Sequence, residues 1–145
     1  VYTIRGDSLP AQQLQYAAKN YRAKLQTAHP TTVAFSRTTD VTAALFRFKP
    51  NIFQFYSQQI AVVDRPLLSP DSDGTTAPLK TDYVLIRNAP AVTMAEVIRH
   101  FDCQQIIFDG SNPFWQVNKW QAECAKLGVD CHATNREGAW IKNIY

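Results

Sequence analysis

An apolar run followed by a polar turn and a helical pattern, within residues 105–128, constrains the fold of this chain most strongly. Gln105–Phe108 is apolar on consecutive positions after its first residue, as expected of a strand covered on both faces. Four residues form the turn that follows: Asp109, Gly110, Ser111 and Asn112. Asn112 is a favoured helix cap and Pro113 suits the first helical position. The predicted helix has one apolar face and ends at Gly128. That face carries Val117, Trp120, Cys124 and Leu127.

The same alternation of strand and helix precedes and follows this segment. Tyr83–Ile86 is a second buried strand, and Thr93 with Glu96 forms a capping box that opens a short helix over residues 94–101. The last two predicted strands are Val129–Ala133 and Ala139–Ile144. The order is therefore β-α-β-α-β-β. Right-handed crossovers make the first three of these strands parallel, and the fourth is a hairpin partner.

The first half of the chain is strand-rich and less regular. Five strands are predicted there: Val1–Ile4, Thr32–Phe35, Ala44–Phe48, Ile52–Tyr56 and Ile60–Val63. Leu14–Leu25 is interpreted as a helix, with a long excursion between strands as the alternative, and Ser69–Pro78 as a surface loop. The whole pattern predicts an α/β fold with mixed β-sheets and flanking helices, in one domain over residues 1–145.

The composition is that of an ordinary folded domain. Apolar residues make up 46% of the 145 residues and charged residues 19%, a balance that supports a buried core. The net charge of +3 selects neither nucleic acid nor another class of partner. No apolar run reaches the roughly 18 residues of a membrane span. Because the chain starts at Val1, inside a predicted strand, we expect a soluble domain excised from a longer protein.

The histidine and cysteine patterns argue against a metal centre or a bound cofactor. The three histidines, His29, His100 and His132, form none of the spaced ligand pairs of metal-dependent hydrolases. The three cysteines, Cys103, Cys124 and Cys131, contain no C-x-x-C pair. Small buried hydrophobes are the favoured interpretation, and a bridge between Cys124 and Cys131 in an oxidising compartment stays open. No metal and no cofactor are predicted.

The turn Asp109–Asn112 is the first candidate site, because it follows a strand and precedes a helix, where open α/β sheets bind ligands. Ser111 as a nucleophile would need a G-x-S-x-G elbow, which this segment lacks. The free N–H groups near Asn112 could attract an anion, and Gly110 would admit its close approach. Asp109, however, places a negative charge at the same point. A helix cap explains the turn more fully.

Aromatic and basic residues of the last third suggest a second site, a platform for single-stranded nucleic acid. Trp115 and Trp140 would stack on bases, and Lys119 and Arg136 would contact phosphates. Trp120 belongs to the apolar helical stripe and is predicted to lie in the core. A solvated surface explains the scattered basic residues equally well.

The segment from Lys80 to Ile144 resembles the C-terminal soluble region of ComEC-type competence proteins, the inner-membrane channels for DNA uptake. The matching features follow one another in order: Asp82–Ile86, Ile106–Asn112, Lys119-Trp120, Glu123-Cys124, Leu127-Gly128 and Glu137–Ala139. Ile60–Asp64 resembles an earlier strand of the same region. The resemblance implies a soluble domain of a bacterial inner-membrane protein, and the residues leave open which side of the membrane it faces.

Many such relatives carry a metallo-β-lactamase-like domain at this end, an αββα sandwich. The resemblance therefore implies a degenerate or truncated version of that sandwich. Arg87-Asn88-Ala89-Pro90 stands where these relatives have His-His-Gly-Ser, and the H-x-H-x-D-H motif is missing. Without imidazole ligands a dinuclear metal centre should not assemble, which argues against a hydrolase.

The favoured hypothesis is a non-catalytic domain that contacts incoming single-stranded DNA or a partner protein. The implied partners are the membrane-embedded remainder of the same protein and other proteins of the competence machinery. The alternative is a metal-dependent nuclease or phosphoesterase with a carboxylate-only site at Asp64, Asp82 and Asp109. Asp82 precedes its strand, and the resulting position at the opposite sheet edge counts against that site. A pure assembly module is the third hypothesis.

Overall fold

The structure is a computed structural model that describes the backbone of residues 2–5, 31–34, 41–43 and 46–49, and the complete residues 51–67 and 77–143. The chain divides into two compact units, residues 1–39 and 40–145. In the first unit, β1 (Tyr2–Arg5) and β2 (Thr31–Ala34) form a parallel two-stranded sheet. The helix predicted over Leu14–Leu25 and most of the loop predicted over Ser69–Pro78 lie outside the described residues.

A seven-stranded mixed sheet forms the centre of the second unit. Its strands are β3 (Val41–Ala43), β4 (Phe46–Lys49), β5 (Ile52–Phe55), β6 (Gln58–Val63), β8 (Tyr83–Ile86), β10 (Gln105–Phe108) and β11 (Asp130–Ala133). They pair in the order β11-β10-β8-β6-β5-β4-β3. Strands β3 to β6 form an antiparallel meander, while β6, β8, β10 and β11 run parallel. Two short strands, β7 (Leu79–Lys80) and β9 (Phe101–Asp102), pair with each other in parallel.

The described ranges contain three helices: α1 (Met94–His100), α2 (Phe114–Leu127) and α3 (Thr134–Glu137). Helix α1 lies between β8 and β10, and α2 connects β10 to β11, as crossovers between parallel strands require. The predicted capping box of α1 is confirmed. Thr93 N donates to Glu96 Oε2 at 2.7 Å, and Glu96 N donates to Thr93 Oγ1 at 3.3 Å.

The strand register decides which residues face the helices. Side chains alternate between the two faces of a sheet, so the in-register pairs Val84 with Ile106 and Ile86 with Phe108 share one face. All four are buried in one core with residues of both long helices: Met94, Val97, Val117, Trp120 and Cys124. The ring of Trp120 stacks on Phe108 with centroids 5.4 Å apart, and its Nε1–H donates to Val92 O at 2.9 Å. Trp120 is a core residue, as predicted.

The start of α2 differs from the prediction. Pro113 holds the cap position with an extended backbone, and no side chain caps the helix. The prediction of Asn112 as the cap is therefore wrong, because its side chain turns into the interior instead. The end of α2 is confirmed: Gly128 adopts a left-handed φ of 69° and its N–H donates to Cys124 O. Leu127, predicted on the buried face, is exposed at this end of the helix.

The predicted C-terminal hairpin is wrong. Thr134–Glu137 forms α3 directly after β11, and residues 138–143 contain no strand. Glu137 Oε1 accepts from Ala133 N at 2.9 Å, which closes a helical turn where a hairpin would have crossed to a new strand. The strand predicted over Ala44–Phe48 corresponds to β4, Phe46–Lys49. The strand before it, β3, was not predicted and pairs with β4 in an antiparallel arrangement, Ala43 with Phe46.

The predicted α/β class, with mixed sheets and flanking helices, is confirmed, and so is the parallel arrangement of β8, β10 and β11. The described ranges contain one large sheet and two small ones, so a sandwich of the metallo-β-lactamase type stays a prediction. Within those ranges, every helix is too short or too polar to pass through a bilayer.

Candidate functional site

The turn Asp109–Asn112 lies at the carboxyl edge of the sheet, the edge at which β6, β8 and β10 end. Asn112 is only 4% exposed there. Its Nδ2 donates to Ile86 O at 2.8 Å and to Asp109 O at 3.0 Å, while its Oδ1 accepts from Ala89 N at 2.9 Å. One amide side chain therefore ties the end of β8 and the following loop to the end of β10.

Ser111 extends the same set of bonds. Its Oγ accepts from Asn88 N at 2.7 Å and donates to Asp109 Oδ1, which also accepts from Ser111 N at 3.0 Å. We call the bonded pair of loops, residues 87–92 and 109–112, the carboxyl-edge clasp. A Cβ added to Gly110 would meet no atom within 4 Å, so this glycine serves no close approach within the described residues.

The first loop of the clasp has an unusual backbone. Asn88 and Ala89 adopt left-handed φ values of 60° and 48°, which non-glycine residues rarely use. This conformation aims both N–H groups at the second loop, where Ser111 and Asn112 accept them. Gln116 of α2 adds a bond to the loop, from its Nε2 to Pro90 O at 3.1 Å. The turn therefore has a structural role, because the Ser111 hydroxyl and the Asn112 amide are both hydrogen-bonded to other groups of the protein.

The three aspartates of the nuclease hypothesis are not brought together. Asp64 and Asp109 follow β6 and β10 at the carboxyl edge, with β8 lying between those strands. Asp82 precedes β8 at the amino edge, where its carboxylate accepts from Gln59 N at 2.7 Å and Gln104 Nε2 at 3.1 Å. In the described ranges, no three His, Cys, Asp or Glu side chains are placed to hold a metal ion. The geometry does not support the carboxylate-only site.

The outward side of α2 carries two of the four residues proposed for nucleic acid, Trp115 and Lys119, and a third, Arg136, lies near the same helix. Trp115 is 69% exposed in the first turn, and Phe114 beside it is 58% exposed. Lys119 is exposed one turn further along, with its Nζ 4.0 Å from Glu123 Oε1. Arg136 of α3 lies next to the helix, where its Nη1 is 3.5 Å from Gln121 Oε1. Gln121 is about 200° round the helix from Lys119, so Arg136 lies on another side of α2. We call the surface of Phe114, Trp115 and Lys119 the outer face of α2.

Trp140 lies elsewhere. It is half-buried against Tyr83, with ring centroids 4.7 Å apart in an edge-to-face arrangement, and its Nε1–H donates to Gln105 Oε1 at 2.9 Å. Tyr83 and Gln105 are the first residues of β8 and β10, so Trp140 lies at the amino edge. Trp115 begins α2 at the carboxyl edge. The structure therefore does not join Trp115 and Trp140 into one platform.

The sequence reasoning missed the structural role of one side chain, Glu123. Glu123 was noted only as part of a motif, yet its Oε2 accepts from Met94 N at 2.9 Å. It thereby satisfies a free N–H at the start of α1 and joins the two helices. Its position four residues after Lys119 was the available sequence signal.

The three cysteines belong to one apolar cluster. Cys124 is fully buried in the core, and Cys103 and Cys131 pack against that core. Burial raises the pKa of the Cys124 thiol to about 12, with a smaller contribution from Cys131. Burial also raises the pKa values of Cys103 and Cys131. All three are therefore thiols, not thiolates, in the folded protein at neutral pH.

The family model of the ComEC C-terminal domain matches residues 1–144 of the chain. No curated protein and no solved structure gives a significant match. The match includes the segment Lys80–Ile144, on which the resemblance rested, and extends over the first half as well. The chain therefore belongs to the ComEC C-terminal domain family, and with it to the membrane-associated competence proteins of DNA uptake.

Proposed function

We propose that this domain is a non-catalytic part of a ComEC-type DNA-uptake protein and contacts single-stranded DNA through the outer face of α2. The observation that carries the proposal is the exposure of Trp115 beside Lys119 on one helix. The two residues are four positions apart, which separates them by about 6 Å along the helix axis. An aromatic ring for a base and an ammonium group for a phosphate are the elements of single-strand binding surfaces.

The charges around this face suit a polyanion. Of the 14 residues of α2, Glu123 is the one acid, and its carboxylate is engaged by Met94 N and lies near Lys119. Lys126 is exposed two turns after Lys119 on the same side of the helix, and the Arg136 guanidinium adds a positive charge at another side of α2, next to Gln121. Lys119 is exposed to solvent and its Nζ is 4.0 Å from the partly buried Glu123 carboxylate, so this pair is weak and leaves the ammonium group available to a phosphate.

The non-catalytic role is supported by the hydrogen bonds that already occupy the candidate catalytic side chains. The Ser111 hydroxyl donates to Asp109 and accepts from Asn88 N inside the carboxyl-edge clasp. Asp82 is at the opposite edge from Asp64 and Asp109 and bonds to Gln59 and Gln104. These groups hold loops and strands in place.

We place the domain beside the inner-membrane channel that the remainder of the protein would form, as a soluble domain over residues 1–145. Incoming single-stranded DNA is its proposed ligand. The membrane-embedded remainder and other competence proteins are its proposed partners. If the chain does not bind DNA in the test below, the exposed rings of Phe114 and Trp115 are the proposed contact surface for a partner protein.

The proposal is tested by titrating a fluorescein-labelled oligothymidylate with the chain and following anisotropy at several salt concentrations. Trp115→Ala should weaken binding roughly ten-fold or more, because base stacking contributes about 1–3 kcal/mol per base. Lys119→Ala should reduce the slope of log K against log salt by about 0.7, the value for one phosphate contact on a single strand.

The matched controls are Trp140→Phe and Lys142→Ala. Both residues lie at the amino edge, where Lys142 is 5.7 Å from the Tyr83 ring, so these variants should bind like the wild type. Binding that survives Trp115→Ala but is lost in the controls would move the interface to the amino edge. Absence of binding in the wild-type chain would refute DNA contact and favour the assembly module.

A further inference from the structure

Cys124 and Cys131 are neighbours in space across the junction of α2 and β11. Cys124 lies in the last turn of α2 and is fully buried. Cys131 is the second residue of β11, in register with Ile106, whose side chain faces α2. Cys131 therefore packs against the core cluster that contains Cys124, on the side of the sheet that α2 covers, and it contributes to the raised pKa of the Cys124 thiol.

The local chain path explains this contact. Gly128 takes a left-handed φ of 69°, and its N–H donates to Cys124 O. Val129 N donates to the same carbonyl at 3.0 Å, so the chain reverses immediately after the helix. β11 begins at Asp130, and the next residue, Cys131, returns beneath the helix end. The juxtaposition thus depends on a well-bonded helix end and on the sheet register.

We propose that Cys124 and Cys131 form an intramolecular disulfide that joins α2 to β11. The oxidant is a protein or glutathione disulfide, and the reaction is thiol–disulfide exchange. The Cys131 thiolate attacks one sulfur of that disulfide, and the first oxidant thiolate leaves. The Cys124 thiolate then attacks the Cys131 sulfur, and the second oxidant thiolate leaves. The two cysteines lose two electrons to the oxidant, whose two thiolates take up the two protons.

The order of attack follows from exposure. Cys131 is half-buried, so an external disulfide reaches it before it reaches the fully buried Cys124. Because burial raises the pKa values of both thiols, exchange is slow in the folded chain. The bond therefore forms fastest during folding, before α2 is fully packed. The inference is independent of DNA contact.

Refolding the reduced chain with oxidised glutathione, followed by alkylation and tryptic digestion without reductant, tests the pairing. Trypsin separates the cysteines into three peptides, residues 100–119, 120–126 and 127–136. We expect peptides 120–126 and 127–136 to be recovered as one linked species, with Cys103 alkylated. A link that involves Cys103, or alkylation of all three cysteines, would overturn the proposal.

Two variants and one physical measurement complete the test. Cys103→Ser should keep the linked species, while Cys124→Ala should lose it and leave a glutathione adduct on Cys131. Circular dichroism verifies that both variants are folded. If a variant does not fold, the digest of the wild-type chain still tests the pairing. The linked wild type should melt roughly 5–10 °C above the reduced form. An equal or lower melting temperature would contradict a bond that the folded geometry accommodates.

Discussion

Ala89 N donates a hydrogen bond of 2.9 Å to Asn112 Oδ1, across two loops that are 23 residues apart in the sequence. The same amide side chain donates to Ile86 O at 2.8 Å. Asn112 belongs to a turn that resembles a ligand-binding site, but its side chain is hydrogen-bonded to the backbone of the neighbouring strand and loop. This relationship defines the carboxyl-edge clasp and leads to the first two predictions.

Asn112→Ala should destabilise the chain by about 1–3 kcal/mol, because the partly buried Ala89 N loses its acceptor and Ile86 O keeps only one of its two donors, Asp109 N. Urea unfolding followed by circular dichroism measures the loss. Asn118→Ala, at an exposed position of α2, is the matched control and should change stability by less than about 0.5 kcal/mol. Equal effects of the two changes would mean that the clasp contributes nothing.

Ala89→Gly should stabilise the chain by about 1 kcal/mol, because glycine removes the steric cost of a left-handed φ of 48°. The free energy of unfolding in urea is again the readout. Ala91→Gly is the control, since Ala91 is exposed and is not among the residues with positive φ. There the added freedom of the unfolded chain should cost stability. A loss at both positions would contradict the backbone geometry of the clasp.

Glu123→Ala should destabilise the chain by about 1 kcal/mol, because Met94 N at the start of α1 loses its acceptor. Glu123→Gln keeps an oxygen acceptor and should recover most of that loss. Lys119→Ala should be close to neutral for stability, because Lys119 is exposed and its Nζ is 4.0 Å from Glu123 Oε1. If Lys119→Ala cost as much as Glu123→Ala, the ion pair and not the helix cap would be the stabilising contact.

Stability should fall as the pH is lowered through the titration of Glu96. Bonds from the Thr93 N–H and hydroxyl hold the pKa of Glu96 below its ordinary value of 4.5. A carboxylate whose folded pKa is the lower one stabilises the fold above its unfolded value, and this contribution is lost as the pH falls through the folded value.

Glu96→Gln should therefore flatten the decline of the urea midpoint between about pH 5 and pH 3. Thr93→Ala removes the hydroxyl but keeps the backbone N–H, so it should flatten the decline only in part, and the double variant should behave like Glu96→Gln, which has no carboxyl group at this position. A decline unchanged by either substitution would assign the acid sensitivity to other groups.

The elements that could be predicted are those whose signals are local. Tyr83–Ile86 and Gln105–Phe108 are strands because their apolar runs require cover on both faces. The capping box at Thr93 and the helix end at Gly128 are bonded within four residues of chain. The C-terminal hairpin was wrong because the polar residues 134–137 fit a helical turn as well as a strand connection.

The candidate site was less predictable, because it depends on contacts between distant residues. Trp115 and Trp140 look equivalent in the sequence, yet Trp115 is exposed on α2 and Trp140 packs against Tyr83. The difference arises because the chain after α3 returns to the amino edge of the sheet. The hydrophobic pattern of residues 138–143 does not predict that path.

By itself, the sequence determined the α/β class, the parallel strands β8, β10 and β11, and the family resemblance. These follow from hydrophobic period, helix-end chemistry and motif order, which act over a few residues. Only the tertiary structure decided that Asn112 binds the loop after β8, that Glu123 accepts from the first N–H of α1 and that Cys131 packs against the core around Cys124. Each of these contacts is fixed by sheet register and helix packing, because a polar group buried by packing must find its partner wherever the fold places one.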